Sequence, residues 1–279
     1  MIVDLMQPPV WLAALLAAAI ALLAFGLRWL ALSGALSAFL MGWIIYGIGG
    51  FKAVVPVLVF FVSSTLLSRV HRARTMEAST GDEKGDVRDG GQVWANGGMA
   101  MLLVLLFALV RDRWPPYLVQ YLPVLFLAAL AAVNADTWAT ELGKLSGVKP
   151  RSLSSWRPVA PGTSGAITFW GILASLVGAA VVPLSVFWWW PLTPVEFVTV
   201  TWSGFLGALL DSILGASVQG VYQDPESGAF TERRRQNGRE NVRVRGLSFI
   251  NNDAVNFLAS LGSVLCALVL LRSIRYPFH

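Results

Sequence analysis

Tyr121-Leu-Pro-Val-Leu-Phe-Leu-Ala-Ala-Leu-Ala-Ala-Val133 runs without a charge into Asn134-Ala-Asp136-Thr137-Trp138-Ala-Thr140-Glu141-Leu-Gly-Lys144. The first half is apolar enough to enter a bilayer, and the second half brings an amide, two carboxylates, two hydroxyls and an ammonium group. An ionisable group at bilayer depth costs about 2.5–3.5 kcal/mol on insertion scales, so it persists where it faces protein, water or ligand. Read alone, this stretch describes a membrane helix whose end handles something charged. A solvated helix end, with Glu141 and Lys144 paired across one turn, is the plainer alternative.

The rest of the chain agrees with a membrane setting. Of its 279 residues 56% are hydrophobic and 13% charged, against about 25% charged in ordinary soluble domains. Hydropathy marks about eight candidate helices, near 10–30, 32–48, 51–68, 97–110, 117–134, 164–187, 195–216 and 252–271. The fourth is short enough to be tilted, broken or re-entrant. The expected fold is an all-α polytopic transmembrane helix bundle, one domain over 1–279, with polar loops near 69–96, 139–163 and 217–251. The N-terminus has no basic leader or clear cleavage site, so Val10–Leu30 reads as a retained span. Cys266 is the single cysteine and excludes an intrachain disulfide.

Sixteen of the 21 basic residues fall in the three long loops or at Arg28. The positive-inside rule then makes those loops cytoplasmic, with both termini outside and the active site at the cytoplasmic face of the inner membrane. Trp188-Trp189-Trp190 would sit at the outer interface. No nucleic-acid motif accompanies the net charge of +5. His71 and His279 are too far apart for a histidine-based metal site. Oligomeric state is left open, an oligomer being compatible with these features.

Five polar segments lie at loop-side ends of the spans. On a helix, Asn134, Thr137, Glu141 and Lys144 share a face, while Asp136 lies roughly 140° from Glu141 with Thr140 beside it. Those two carboxylates meet at one metal only if the helix breaks. Asp211, followed by Ser212, sits inside a span with Gly207 and Gly215 four residues to either side, leaving room for another helix or a ligand. Asn251-Asn252-Asp253-Ala-Val-Asn256 opens the last span, and Asn251 or Asn252 is a candidate N-cap. Pro161-Gly162-Thr163-Ser164-Gly165 precedes a predicted helix from 164, whose N-terminus would attract an anion. The first loop, Gly81 to Gly98, has glycines suited to closing over a ligand, with Arg88 as a phosphate contact and Asn96 as a cap of the fourth span.

Carboxylates for Mg²⁺, amides, basic groups and helix ends form an inventory for phosphoryl transfer, which relies on positioning and charge neutralisation. If the acceptor is a phosphate monoester, its oxygen is already anionic near neutral pH, and no strong base is needed. In a membrane the acceptor's lipid tail would lie between helices.

The strings Arg88-Asp89-x-x-Gln92-Val93-x-Ala95-Asn96-Gly97, Asn134-Ala-Asp136-Thr-Trp-Ala-Thr-Glu141, Pro161-Gly-Thr-Ser-Gly-Ala-Ile-Thr168, Asp211-Ser212-x-x-Gly215-Ala216 and Asn251-Asn252-x-x-Val255-Asn256 resemble the integral-membrane family that includes plant chloroplast phytyl-phosphate kinase. The resemblance runs from about Ser33 to Ser260. It implies conversion of an isoprenyl monophosphate to its diphosphate with a nucleoside triphosphate such as CTP, dependent on Mg²⁺. Carried onto this chain, it makes Asp136, Glu141 and Asp211 candidate metal or phosphate-site residues, with Lys144 beside them. Arg88, Asn96, Asn134, Thr163, Ser164, Ser212, Asn252 and Asn256 become candidate headgroup or nucleotide contacts. Some bacterial relatives carry cysteines in the last loop, where this chain has Asp224, Glu226 and Ser227. Two other readings share the inventory: a lipid-phosphate transporter or flippase, and a cytidylyltransferase that makes a CDP-linked lipid.

Overall fold

The computed structural model describes residues 8–76, 87–153, 155–228, 230–236 and 238–275. Gly81–Asp86, the glycine-rich part expected to close over a ligand, lies outside them. The helices are α1 Val10–Gly26, α2 Leu32–Met76, α3 Gly90–Val110, the single turn α4 Pro116–Val119, α5 Leu122–Leu145, α6 Phe169–Ser185, α7 Pro194–Ser217 and α8 Asn252–Arg275. Among the described residues five apolar stretches are long enough to cross a membrane (in α2, α3, α4–α5, α7 and α8), and α1 and α6 are apolar helices of 17 residues.

α2 is two helices. Gly50 takes φ 64° and ψ −163°, a conformation open to glycine and closed to residues with a Cβ. Thirty residues of straight helix would hold Trp29 and Phe61 about 45 Å apart, yet their rings are 5.8 Å apart. The chain therefore reverses at Gly50 into two limbs, 32–49 and 51–76. Counting both limbs, the described residues form eight apolar helical segments besides the single turn α4. The reversal leaves Phe51 against Trp189, 5.5 Å between rings, so the Trp188–Trp190 turn shares the end opposite the long loops.

Several helix boundaries move. α1 stops at Gly26, where Trp29 and Leu30 N–H groups return to the Ala24 carbonyl and Arg28 takes φ 55°, a left-handed helix end. α3 starts at Gly90 rather than near 97. The Asp89 carboxylate accepts from Gln92 N–H and the Gln92 side chain accepts from Asp89 N–H. This reciprocal cap overrides the weak helix propensity of Gly90-Gly91 and Gly97-Gly98. The fourth span is thus a full 21-residue helix, and Asn96 lies inside it instead of capping it. α6 starts at Phe169, where the Thr168 hydroxyl accepts from Gly171 N–H.

α5 is the axis of the bundle, buried on every side from Leu122 to Ala135 apart from Pro123. Helices gain little from hydrophobic contrast in lipid, so close backbone approach and interhelical hydrogen bonds hold them. A Cβ on Gly207 would come within 2.7 Å of Ala132 and 2.9 Å of Ser263, and one on Gly178 within 2.9 Å of Trp138. These glycines let α7, α8 and α6 lie against α5. Ser260 and Ser263 of α8 donate to the Ala129 and Ala128 carbonyls.

The bundle is helical, but the loops are not featureless. β1 Arg151–Ser152 pairs with β2 Ala166–Ile167. In the third loop, β3 Val221–Gln223 lies between β4 Phe230–Thr231 and β7 Val242–Arg245, and β5 Arg235–Gln236 pairs with β6 Arg239–Glu240. The all-α bundle stands, and its loops add short hairpins where β-branched alternation (Val242-Arg-Val-Arg245) and turn residues favour them. Asp224 Oδ1 accepts from Glu226 and Ser227 N–H groups, so hydrogen bonds organise the turn between β3 and β4.

Candidate active site at the loop-bearing end

α5 continues unbroken through Leu145, which settles how its polar residues divide. Asp136, Thr140, Gly143 and Lys144 recur at helical spacing on one side and line a polar cavity of about 410 Å³. Asn134, Trp138 and Glu141 face the second limb of α2. Asn134, fully buried, donates from Nδ2 to the Gly178 carbonyl at 2.7 Å and accepts from Ser63 Oγ at 3.2 Å. Trp138 Nε1 also donates to Ser63 Oγ, and Ser68 Oγ donates to Glu141 Oε1 at 2.9 Å.

Asp211 of α7 and Asp136 of α5 both face the polar cavity, as do Ser212, Lys149, Thr163, Ser164 and Asn252. Asp211 Oδ2 is buried without a hydrogen-bond partner. The expected trio of Asp136, Glu141 and Asp211 does not converge, because Glu141 is turned toward α2. Among the described residues no group of three or more His, Cys, Asp or Glu is arranged to hold a metal ion. Two carboxylates still fit Mg²⁺, which usually takes one or two from the protein and completes its shell with water and substrate phosphates.

The Pro161–Gly165 loop reaches the cavity differently from expectation. It does not open a helix; it leads into β2, and Gly165 (φ 71°) packs where a Cβ would overlap the Ala216 backbone. Thr163 Oγ1 donates to the Ala160 carbonyl at 2.8 Å. Ser164 Oγ donates to Glu232 Oε1, and Arg245 Nη2 donates to the Gly215 carbonyl at 2.9 Å. The third loop thereby straps the second over the end of α7.

Three lining residues escaped motif reading: Gln219, Glu232 and Ser175. Gln219 is 1% exposed with its Nε2 unpartnered, and Ser175 is 2% exposed with its Oγ unpartnered. Buried polar atoms are nearly always hydrogen-bonded, so two orphans on the same cavity wall as Asp211 suit a ligand's oxygens. Glu232 has no local signal at all, since only the folded third loop carries it to the cavity. Lys149, one of the loop-side basic residues, joins Lys144 on the cavity wall.

Arg88, Asn96 and Asn256 lie elsewhere. Asn256 Nδ2 donates to Asn96 Oδ1 at 3.2 Å, and Asn251 is the N-cap of α8, its Oδ1 accepting from Ala254 N–H. Arg88 and Asn96 border a second cavity, of about 370 Å³, between α1, both limbs of α2 and α3. The first turn of α8 lies between the two cavities, with Asn252 on the polar one and Asn256 against Asn96.

Asn134 is consequently a bolt between helices. Asn134→Ala is expected to cost about 1–2 kcal/mol, read as a lower unfolding temperature in detergent, with turnover per folded molecule retained.

The family model described as "Integral membrane protein DUF92" matches residues 15–264. The chain is 29% identical over 271 residues to Protein PGR of Arabidopsis thaliana, covering 89% of this chain and 91% of that protein. It is 33% identical over 188 residues to an uncharacterized membrane protein of Methanocaldococcus jannaschii, covering 66% and 72%. With the chloroplastic protein VTE6 of Arabidopsis thaliana the identity is 28% over 244 residues, covering 86% and 65%. No solved structure matches. The family match takes in every residue that lines either cavity, and on that span the chain belongs to the DUF92 integral membrane family.

Proposed function

We propose that this protein is a prenyl-phosphate kinase: it transfers the γ-phosphoryl group of a nucleoside triphosphate, with CTP as first candidate, to an isoprenyl monophosphate, giving the isoprenyl diphosphate and the nucleoside diphosphate. The observation that carries this reading is the polar cavity at one end of an apolar bundle. Asp136 and Asp211 face it together with Lys144 and Lys149, a set of charges suited to holding a metal–triphosphate. Membership in the family that includes plant phytyl-phosphate kinase supports the same substrate class.

In this reading an anionic oxygen of the acceptor phosphate attacks the γ-phosphorus, and the bond from that phosphorus to the β-bridging oxygen breaks. The electron pair leaves on the nucleoside diphosphate. No proton need be removed from the acceptor, which agrees with a cavity that has no histidine on its wall. Lys144 and Lys149 neutralise phosphate oxygens, Gln219 and Ser175 donate to them, and Thr163 and Ser164 border their path. Mg²⁺ held by Asp136 and Asp211 would offset triphosphate charge. The cavity end lies at the cytoplasmic face, where nucleotide is available, and the three basic loops agree with that orientation.

Purified protein given CTP, Mg²⁺ and a series of prenyl phosphates is expected to consume nucleotide only when an acceptor is present. If no acceptor triggers consumption while folded protein still binds prenyl phosphate, the kinase reading fails and lipid-phosphate transport takes its place. A CDP-linked lipid with release of pyrophosphate would instead mark a cytidylyltransferase.

A further inference from the structure

We infer that the second cavity is the seat of the acceptor's hydrocarbon chain, an isoprenyl tail entering from the bilayer with its phosphate toward Arg88. This rests on the proposed isoprenyl monophosphate substrate and adds where that molecule lies. The cavity is an aliphatic and aromatic groove of about 370 Å³. α1 forms one wall through Ala17, Ala21 and Ala24, and the second limb of α2 forms another through Val54, Val57 and Phe61. From Phe51 to Phe61 the groove follows ten residues of helix, about 15 Å.

Its polarity is one-sided. Apart from Tyr46, the polar lining residues are Arg88, Gln92 and Asn96, gathered at the loop-bearing end. The Arg88 guanidinium stands 5.6 Å and 5.8 Å from the Phe60 and Phe61 ring centres, where cation and apolar wall meet. A cation and two amides at the mouth of an apolar shaft complement an anionic headgroup on a hydrocarbon chain.

Access and position fit the same occupant. Leu16, Ile20 and Phe51 are about two-fifths exposed, so the groove opens sideways, toward lipid, and a chain need not cross water to enter. Only the first turn of α8 stands between the mouth and the polar cavity: Asn252 lines the polar cavity, and one turn on Asn256 bonds Asn96 at the groove. A bound headgroup would therefore lie on the nucleotide's side of the groove.

The test uses the full chain in phosphatidylcholine vesicles without nucleotide. A twenty-carbon isoprenyl phosphate bearing a diazirine on its terminal unit is photolysed, and labelled residues are mapped by peptide mass spectrometry. Label is expected on α1 and on the second limb of α2, displaced by unlabelled prenyl phosphate and unaffected by added phosphatidylcholine. Label confined to other helices, or equally displaced by phosphatidylcholine, overturns the assignment. Val57→Phe, which fills the shaft, is expected to weaken the twenty-carbon ligand about tenfold more than a five-carbon prenyl phosphate. Equal weakening, or none, also overturns it. Because neither measurement needs turnover, failure of the kinase reading leaves the groove standing, and failure of the groove leaves nucleotide consumption intact.

Discussion

Asp211→Asn is expected to lower turnover by about 10²-fold or more while leaving prenyl-phosphate binding in place. The Asp211 side chain projects from α7 into the polar cavity with one carboxylate oxygen buried and unpartnered. Such an atom is costly to bury without a partner, and a cation supplied with the nucleotide would satisfy it. Asparagine keeps the shape and one carbonyl oxygen but removes the negative charge that a divalent ion requires. Asp136→Asn, on the facing helix, is expected to behave alike. Glu141→Gln is the control within the same helix: Glu141 accepts from Ser68 and lies off the cavity, so turnover should stay within about threefold, a span worth under 1 kcal/mol of barrier. Steady-state rates on the three purified variants, with lipid binding measured separately, decide the matter. Equal loss in Asp136→Asn, Asp211→Asn and Glu141→Gln would point to generic damage at the bundle end instead of a two-carboxylate site.

Gly165→Val is expected to have the second largest effect, through backbone alone. Gly165 sits at φ 71°, where a β-branched residue is strained by about 1–2 kcal/mol. Its new Cβ would also overlap the backbone of Ala216. The 161–165 loop must then lift from the end of α7, taking Thr163 and Ser164 away from the cavity wall and breaking the Ser164–Glu232 contact. Turnover should fall about ten- to a hundredfold, with nucleotide KM raised and the bundle still assembled in detergent. Gly162, also at positive φ but with open space where its Cβ would stand, should tolerate alanine better, incurring the backbone strain without a clash.

These expectations also show which parts of the molecule were readable from residues in order. The bundle was readable because apolar run length reports bilayer thickness directly. Even the hairpin at Gly50 falls between two predicted spans. The separation of Asp136 from Glu141 was readable too, since 100° per residue parts them whatever the tertiary context. Lys144, read onto the Glu141 face, lies on the cavity side with Asp136. Which face would meet the cavity was not readable. Ser63 and Ser68, the partners of Asn134 and Glu141, are ordinary serines in an apolar run more than seventy residues away.

Glycine misled in both directions. Gly90-Gly91 and Gly97-Gly98 read as loop, yet the Asp89–Gln92 cap and tight packing carry helix through them. A Cβ on Gly97 would strike the Met41 sulfur. Gly162 and Gly165 read as the approach to a helix and instead form a strap before β2. At Gly97 and Gly165 a long-range neighbour, Met41 or Ala216, shapes the backbone's surroundings, whereas the Asp89–Gln92 cap is a local signal that outweighs glycine's weak propensity. Glu232 belongs to the same class, reaching the cavity only because the third loop folds back over α7, whereas Gln219 sits just past the end of α7 with its N–H on the Leu214 carbonyl.

The central claim is that Asp136 and Asp211 hold a nucleoside triphosphate whose terminal phosphoryl group passes to a membrane-borne phosphate. Following that group is the most direct measurement: CTP carrying isotopic label in its γ-phosphate is incubated with the purified protein, Mg²⁺ and a prenyl phosphate, and label is located by mass. The account predicts label in the lipid as the outer phosphate of a diphosphate, matched one for one by CDP. Label found only in inorganic phosphate or pyrophosphate, with the lipid unchanged or cytidylylated, would contradict it.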